Sequence, residues 1–410
     1  MKRQVYYKIE MQLAAPLSIG NGRNEATDHD IVRDKRGKPY IPASSIAGVF
    51  RHTLDDDIAL QNRVFGMISD NTSVSSKIIF YDGNLVSDST ESVRDSVKLD
   101  KKVGVDGAKF DMETIETGSV FSTIIEITDE DETTDSIVEK MISKLKAGVL
   151  RFGTKTSRGY GVVRISSLKK CVFENNQLDE WLDFDPLDEQ SWNGIDDCDL
   201  SDDLTEYSKI TLHLMQKGAI SIREYSTDVG EDGNTLPDFK HISLHDQNET
   251  SVIPGTSWAG AFRARFLDFA GQAATDSLFG YVKEKNKIDS SNKSRIIFSE
   301  SIISDNLMKT VTRNSIDRFS AATKDSALYT ERTSYNGKTN LTIFLADDAT
   351  DKERAILGAV ILDIHNGFLS VGGLTSIGRG MFRITGLYVN DTDNSHLLQT
   401  GNAAQLLEVK

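Results

Sequence analysis

Two glycine-rich stretches gather the side chains best suited to holding a charged oxygen. In the first, Gly153, Gly159 and Gly161 surround Lys155, Thr156, Ser157 and Arg158; in the second, Gly372, Gly373, Gly378 and Gly380 surround Thr375, Ser376 and Arg379. Glycines let backbone N–H groups approach a phosphate closely, hydroxyls donate to it, and Lys or Arg neutralises it. A phosphodiester backbone suits such a loop, whereas either copy taken alone also reads as a tight helix-to-strand turn with incidental charges. Neither stretch is a P-loop, because G-x-x-x-x-G-K-[ST] is missing. Two more stretches, IPASSIAGVFR from Ile41 and IPGTSWAGAFR from Ile253, signal helix starts at Ser44, Ser45 and Thr256, Ser257, with Arg51 and Arg263 further on. A helix start is an anion site, and the small residues serve close packing equally well. In D-H-D-I-V-R-D, each of Asp28, Asp30 and Asp34 is by composition a solvated loop acid, and His29 has a pKa suited to proton transfer.

These residues recur because the chain repeats itself. The two I-P stretches are identical at seven of eleven positions with an offset of 212, and LRFGTKTSRGYGVVRI and LSVGGLTSIGRGMFRI at eight of sixteen with an offset of 219. SKIIF at Ser76 and SRIIF at Ser294 fall between them in the same order, so the chain is a tandem duplication. Each half opens with a strand (Val5 to Leu13; Lys209 to Met215), followed by a polar loop and a helix for which Ser44 and Thr256 are the expected N-caps. Two strands bracketing a long insertion come next, then a helix with apolar spacing (Ile137, Met141, Leu145; Ile356, Val360, Ile364), the glycine loop and a last strand. The order β-α-β-β-α-β predicts two tandem ferredoxin-like, RRM-like domains of class α+β, over 1–170 and 207–410, joined by an acidic linker over 171–206.

The 410 residues carry 47 Lys and Arg against 62 Asp and Glu, a net charge of −15. That balance speaks against nucleic acid until its distribution is read: from Glu174 to Glu206 there are thirteen acids and no Lys or Arg, which leaves the rest near −2 and open to local basic patches. Trp181, Phe184 and Trp192 are expected to anchor the acidic stretch. Cys171 and Cys198 are too few for a disulfide framework or a zinc cluster, and no apolar run is long enough to span a bilayer. A soluble, cytoplasmic protein with no membrane partner is the expectation.

The I-P-x-S/T-S helix start and the G-x-x-x-x-x-G-x-G loop, on a βαββαβ unit with a long insertion, resemble the RAMP superfamily of CRISPR proteins. More narrowly, the chain is similar to backbone subunits of type III effector complexes, and its two-domain layout is similar to the fused forms of the III-D branch. The resemblance implies CRISPR guide RNA, target RNA and other effector subunits as partners, and thumb hairpins within Asp82 to Gly118 and Glu300 to Gly337. It also implies cleavage of target RNA by an Asp in a pattern like D-x-x-[VI]-x-[KR]-D, which places catalysis and metal contact on Asp28, with Asp34, His29 and Asp30 as possible auxiliaries and Mg2+ or Mn2+ as the cofactor. RNA contacts fall on Ser44, Ser45, Arg51, Lys155, Thr156, Ser157 and Arg158 in the first half and on Thr256, Ser257, Arg263, Thr375, Ser376 and Arg379 in the second. Aligned on IPGTS, Lys240 stands opposite Asp28 and Asp246 opposite Asp34. Asp232 or Asp238 could be placed by the longer loop, but the expectation is that this half binds RNA without cutting. The alternatives are a scaffold with no catalysis and a guide-processing endoribonuclease, which typically uses a catalytic His.

Overall fold

The computed structural model describes residues 2–21, 28–69, 72–100, 103–128, 132–225, 237–244, 249–281 and 291–408, with backbone only over 97–100 and 103–109. Asp232 and Asp246 lie outside the described residues. Two compact units emerge: Met1–Val97, Ala108–Thr156 and Tyr160–Thr205 form one, and Lys98–Gly107, Ser157–Gly159 and Glu206–Lys410 the other. No described helix is long and apolar enough to cross a membrane.

In the first unit, β1 (Gln4–Leu13) sits between β6 (Val120–Thr128) and β7 (Val163–Phe173), antiparallel to both. The strands β2 (Ile78–Phe80) and β3 (Gly83–Leu85) pair with the far side of β6. In chain order of the four sheet positions this is 4-1-3-2, the split βαβ arrangement of a ferredoxin-like fold. The period-2 alternation of β1 decides what each face does. Val5, Tyr7, Ile9, Met11 and Leu13 point into a core with Ile46 and Phe50 of α1 (Ala43–Arg51) and Val138, Met141, Ile142 and Leu145 of α3 (Thr133–Lys146). Between α1 and β2 lies α2 (Ile58–Phe65), capped by the Asp57 carboxylate on the Leu60 N–H.

One expectation is corrected here. Pro42 and Pro254, not Ser44 and Thr256, occupy the N-cap positions, and neither helix start has a side-chain cap bond from its cap residue. The proline fixes an extended entry two residues earlier than the serine signal implies, and the Asp82 carboxylate accepts the Ala43 N–H at 2.7 Å. The acidic stretch is anchored by the aromatics expected to hold it: Tyr6, Ile124 and Phe173, on the sheet face away from the helices, form a separate cluster with Trp192, joined by Phe184 and by Trp181 of α4 (Leu178–Leu182). The Trp181 indole donates to the Tyr6 hydroxyl at 2.9 Å and the Trp192 indole to the Pro186 carbonyl at 2.9 Å. An acidic layer therefore covers that face. Trp192 is only 2% exposed, so Trp192→Ala is expected to destabilise the first unit by about 3 kcal/mol or more, read as a lowered urea midpoint. An unchanged midpoint would mean that the layer is not part of the folded unit.

The second unit repeats the plan. Here β8 (Tyr207–Lys217) lies between β15 (Lys338–Ala346) and β16 (Met381–Val389), and β11 (Ile296–Phe298) and β12 (Ser301–Ser304) flank β15, again 4-1-3-2. Helices α5 (Gly255–Phe279) and α6 (Asp351–Asn366) close its core through Trp258, Phe262, Leu357, Val360 and Ile361. Gly271 leaves the helical region at φ 75° and breaks α5 where the first unit separates α1 from α2. The expected insertions become hairpins. In the first unit β4 (Glu91–Asp100) pairs with β5 (Val103–Ile115); in the second, β13 (Leu307–Arg313) pairs antiparallel with β14 (Tyr329–Tyr335). The last strand also pairs parallel with β10 (Phe239–His241), whose other side pairs antiparallel with β9 (Arg223–Tyr225), in one small sheet.

Candidate nucleic-acid interface

The same frame of hydrogen bonds holds both glycine loops. Phe152 N–H donates to Gly161 O (3.0 Å), Thr154 N–H to Ser18 O (2.9 Å) and Gly161 N–H to Pro16 O (2.8 Å). Their counterparts are Val371 to Gly380 (2.9 Å), Gly373 to Ser221 (2.8 Å) and Gly380 to Ala219 (2.8 Å). A Cβ on Gly161 or Gly380 would stand 1.8 Å from the Phe152 or Val371 carbonyl, so those glycines are demanded by the loop's own closure. The buried Arg151 braces the first loop, donating to the Gly148 and Thr156 carbonyls at 2.9 and 3.0 Å. The segment receiving each loop also meets the hairpin: Leu17 exchanges bonds with Ile115, and Ile220 pairs with Ser334. Glycine loop, post-β1 segment and hairpin base thus converge at one end of each sheet.

In the first unit this convergence assembles the acid, the imidazole and a cation. The Asp28 N–H donates to the Asp111 carboxylate at 2.8 Å, and the Asp111 N–H reaches back to the Asp28 carboxylate at 3.4 Å. Beside Asp111, the Phe110 ring meets His29 edge-on at 6.0 Å and carries the Lys155 ammonium 4.7 Å from its centroid. Lys155 also donates to the Ser96 hydroxyl at 2.9 Å. Arg33 ties the same loop to the hairpin through Glu91 at 2.6 Å and through Glu113, whose carboxylate also accepts the Ile31 N–H at 2.9 Å. Asp30 is 9% exposed and buried against the fold, while Asp28 is half-buried and His29 exposed. Asp34 accepts the N–H groups of Arg36 and Lys38, and the Lys38 bond above all holds its carboxyl below the ordinary aspartate range. It shapes the turn ahead of the helix.

The remaining expected contacts separate into surface and interior. Ser44, Arg51, Arg158 and Ser376 are exposed, and Ser45, Thr156, Ser157, Thr256, Ser257 and Thr375 half-buried. Arg51 borders an open cleft with Asn62, Phe65, Ser73 and Ser75. Arg263 spans the α5 break instead, donating to Asp276 at 2.7 Å and to the Gly280 carbonyl at 3.0 Å. Arg379 is corrected outright as a phosphate contact: it is 2% exposed and paired at 2.7 Å with Glu331, itself 0% exposed. Its position in the loop matches Tyr160 of the first copy, also buried, rather than Arg158.

Register also corrects the alignment of the acids. Gly20 bridges Ile31, and Arg223 pairs with His241; the Val32 N–H donates to Ile19 at 2.9 Å, and the Ile242 N–H to Ile222 at 2.9 Å. Counting back from Ile31 and His241, the counterpart of Asp28 is Asp238, and Lys240 takes the place of Asp30. Asp238 is exposed, and its carboxylate accepts the Thr330 N–H at 2.7 Å.

The profile of the RAMP superfamily matches residues 10–164 and 239–383, one match in each half. This chain belongs to the RAMP superfamily. No curated protein matches it. For a RAMP protein, membership suggests a CRISPR-associated, RNA-binding subunit that assembles with other subunits, and both matches span the loop, helix and hairpin described above. Sequence reasoning missed Phe110 and Asp111 of this RAMP chain, which lie inside an insertion with no motif. It missed Phe319 too, 100% exposed at a hairpin tip where the Asp317 carboxylate accepts the Phe319 and Ser320 N–H groups, each at 2.9 Å. An aromatic held on a fixed turn beside Arg318 is a surface on which a base can stack. Among the described residues, no three His, Cys, Asp or Glu side chains form a metal cage. Asp28 and Asp111 nevertheless fit a hard divalent cation of the kind that takes one or two carboxylates and completes its shell with phosphate oxygens and water.

Proposed function

We propose that this RAMP protein is a backbone subunit of a type III CRISPR ribonucleoprotein, one that binds guide RNA and cleaves complementary target RNA at Asp28. The observation that carries this reading is the clamp between Asp28 and Asp111, beside Lys155 on the Phe110 ring. A half-buried carboxylate next to a cation can take the proton of a ribose 2′-OH while positive charge faces the adjacent phosphate. Asp28 and Asp111 would hold Mg2+ or Mn2+, which supplies further charge neutralisation at the phosphate. The test is to purify the chain with its native partners and sequence the RNA that accompanies it: a guide of repeat plus spacer is expected, and RNA of random origin sinks the reading.

The exposed cations carry a second expectation. Removing one phosphate-binding cation should reduce the slope of log affinity against log salt by about one, without regard to sequence. Guide affinity measured across a salt series is expected to show this for Arg158→Ala and Arg51→Ala, and unchanged slopes would remove both residues from the interface.

A further inference from the structure

The second unit reproduces part of the environment of Asp28 around Asp238, with Thr330 in the place of Asp111 and so without the second carboxylate. Asp111 and Thr330 hold the same register position, since the hairpin strands pair with the post-β1 segments at Ile115 and Ser334. The backbone N–H at that position meets the Asp28 carboxylate at 3.4 Å in one unit and the Asp238 carboxylate at 2.7 Å in the other. One residue earlier, each hairpin carries an aromatic ring, Phe110 or Tyr329. Each ring meets the residue after the acid edge-on: His29 at 6.0 Å from Phe110, and Phe239 at 6.2 Å from Tyr329. Each has a cation over its face as well, Lys155 at 4.7 Å in the first unit and Arg223 at 5.7 Å in the second. Arg223 also lies 4.7 Å from the Phe239 centroid.

The two cations come from different elements. Lys155 belongs to the glycine loop, whose matching position in the second copy is Leu374, while Arg223 belongs to β9. Simple inheritance of a surface pattern would put a cation at 374. A carboxylate, an aromatic platform and a cation are instead brought together with the cation from another strand, where Arg223 also pairs with Glu331 at 3.2 Å.

We propose that Asp238 is a second catalytic carboxylate, acting on the phosphodiester of an RNA strand bound to the second unit. This rests on the reading of Asp28. In the step, the Asp238 carboxylate accepts the 2′-OH proton, the 2′ oxygen forms a bond to the adjacent phosphorus, and the bond from phosphorus to the 5′ oxygen breaks. The departing 5′ oxygen takes a proton from water, leaving a 2′,3′-cyclic phosphate and a 5′-hydroxyl end. Arg223 faces the charge that builds on the phosphate. Neither Phe239 nor Lys240 offers the imidazole or second acid found at His29 and Asp30, so Asp238 bears the proton transfer.

The test uses the assembled complex, a labelled complementary RNA and divalent metal, with Asp28→Ala, Asp238→Ala and Asp238→Asn compared band by band. The Asn variant keeps an oxygen for the Thr330 N–H and so controls for folding. Both Asp238 variants are expected to slow cleavage at one position by about 100-fold or more, with the position silenced in Asp28→Ala still cut at the wild-type rate. Wild-type cutting at every position in Asp238→Asn overturns the proposal. If Asp28→Ala also leaves every band intact, the reading of Asp28 fails with it; if Asp28→Ala alone removes cutting, that reading stands and Asp238 is only a binding residue.

Discussion

Asp28→Ala is expected to slow cleavage at the phosphate served by the first unit by about 100- to 10,000-fold, with guide and target binding nearly intact. The separation follows from where the group acts. A carboxylate repels RNA in the ground state and stabilises only the transition state, so its loss should fall on the chemical step. Asp28→Asn is the sharper variant, because an amide oxygen can still accept the Asp111 N–H that now reaches the carboxylate at 3.4 Å. Asp34→Ala is expected to be milder, since Asp34 spends its carboxylate on the Arg36 and Lys38 N–H groups and only shapes the turn. The measurement is single-turnover cleavage of labelled complementary RNA by the assembled complex with Mg2+ or Mn2+, repeated with chelator. Wild-type rates at every position in Asp28→Ala would make the chain a scaffold.

How much of this was legible in the sequence depended on the range of the interaction. The duplication and the 4-1-3-2 sheets follow from periodicity and from repeated glycines, whose need is local: Gly161 and Gly380 each close a loop on a residue nine positions away. Asp28 came from a motif. Its partners did not, because Phe110 and Asp111 reach it across more than eighty residues of chain through hairpin register, which a single sequence does not display. Asp238 was displaced for a simpler reason. Sixteen residues separate it from Pro254 where fourteen separate Asp28 from Pro42, so alignment on the I-P signal slid to Lys240. In the acidic stretch the three aromatics were legible as anchors, but Tyr6, Ile124 and Phe173, against which they pack, are brought to them only by the sheet.

Arg379 shows why a charged residue in a glycine loop need not face solvent. Burial pushes the Glu331 carboxyl up, but the Ser221 hydroxyl and the Arg379 and Arg223 guanidiniums hold it below the ordinary glutamate range. Arg379→Ala leaves that acid buried with part of its compensation gone, and breaking such a pair costs about 3–5 kcal/mol. The expected result is a second unit whose unfolding midpoint in urea falls well below that of the first. The pH dependence has a definite sign. In the wild type the depressed pKa of Glu331 contributes stability above the unfolded glutamate value, and that contribution is lost as pH falls through the lower folded value. In Arg379→Ala the acid keeps the Ser221 hydroxyl and Arg223 but loses one of the groups that lower its pKa, so the gap between variant and wild type should narrow as pH drops through the carboxylate range. Replacing both partners, as Arg379→Met with Glu331→Met, should recover most of the loss, because no buried charge is then left alone. A pH-independent deficit would mean that the pair is not ionised. Full stability in Arg379→Ala, with a salt slope for guide binding reduced by about one, would instead return Arg379 to the phosphate-contacting surface.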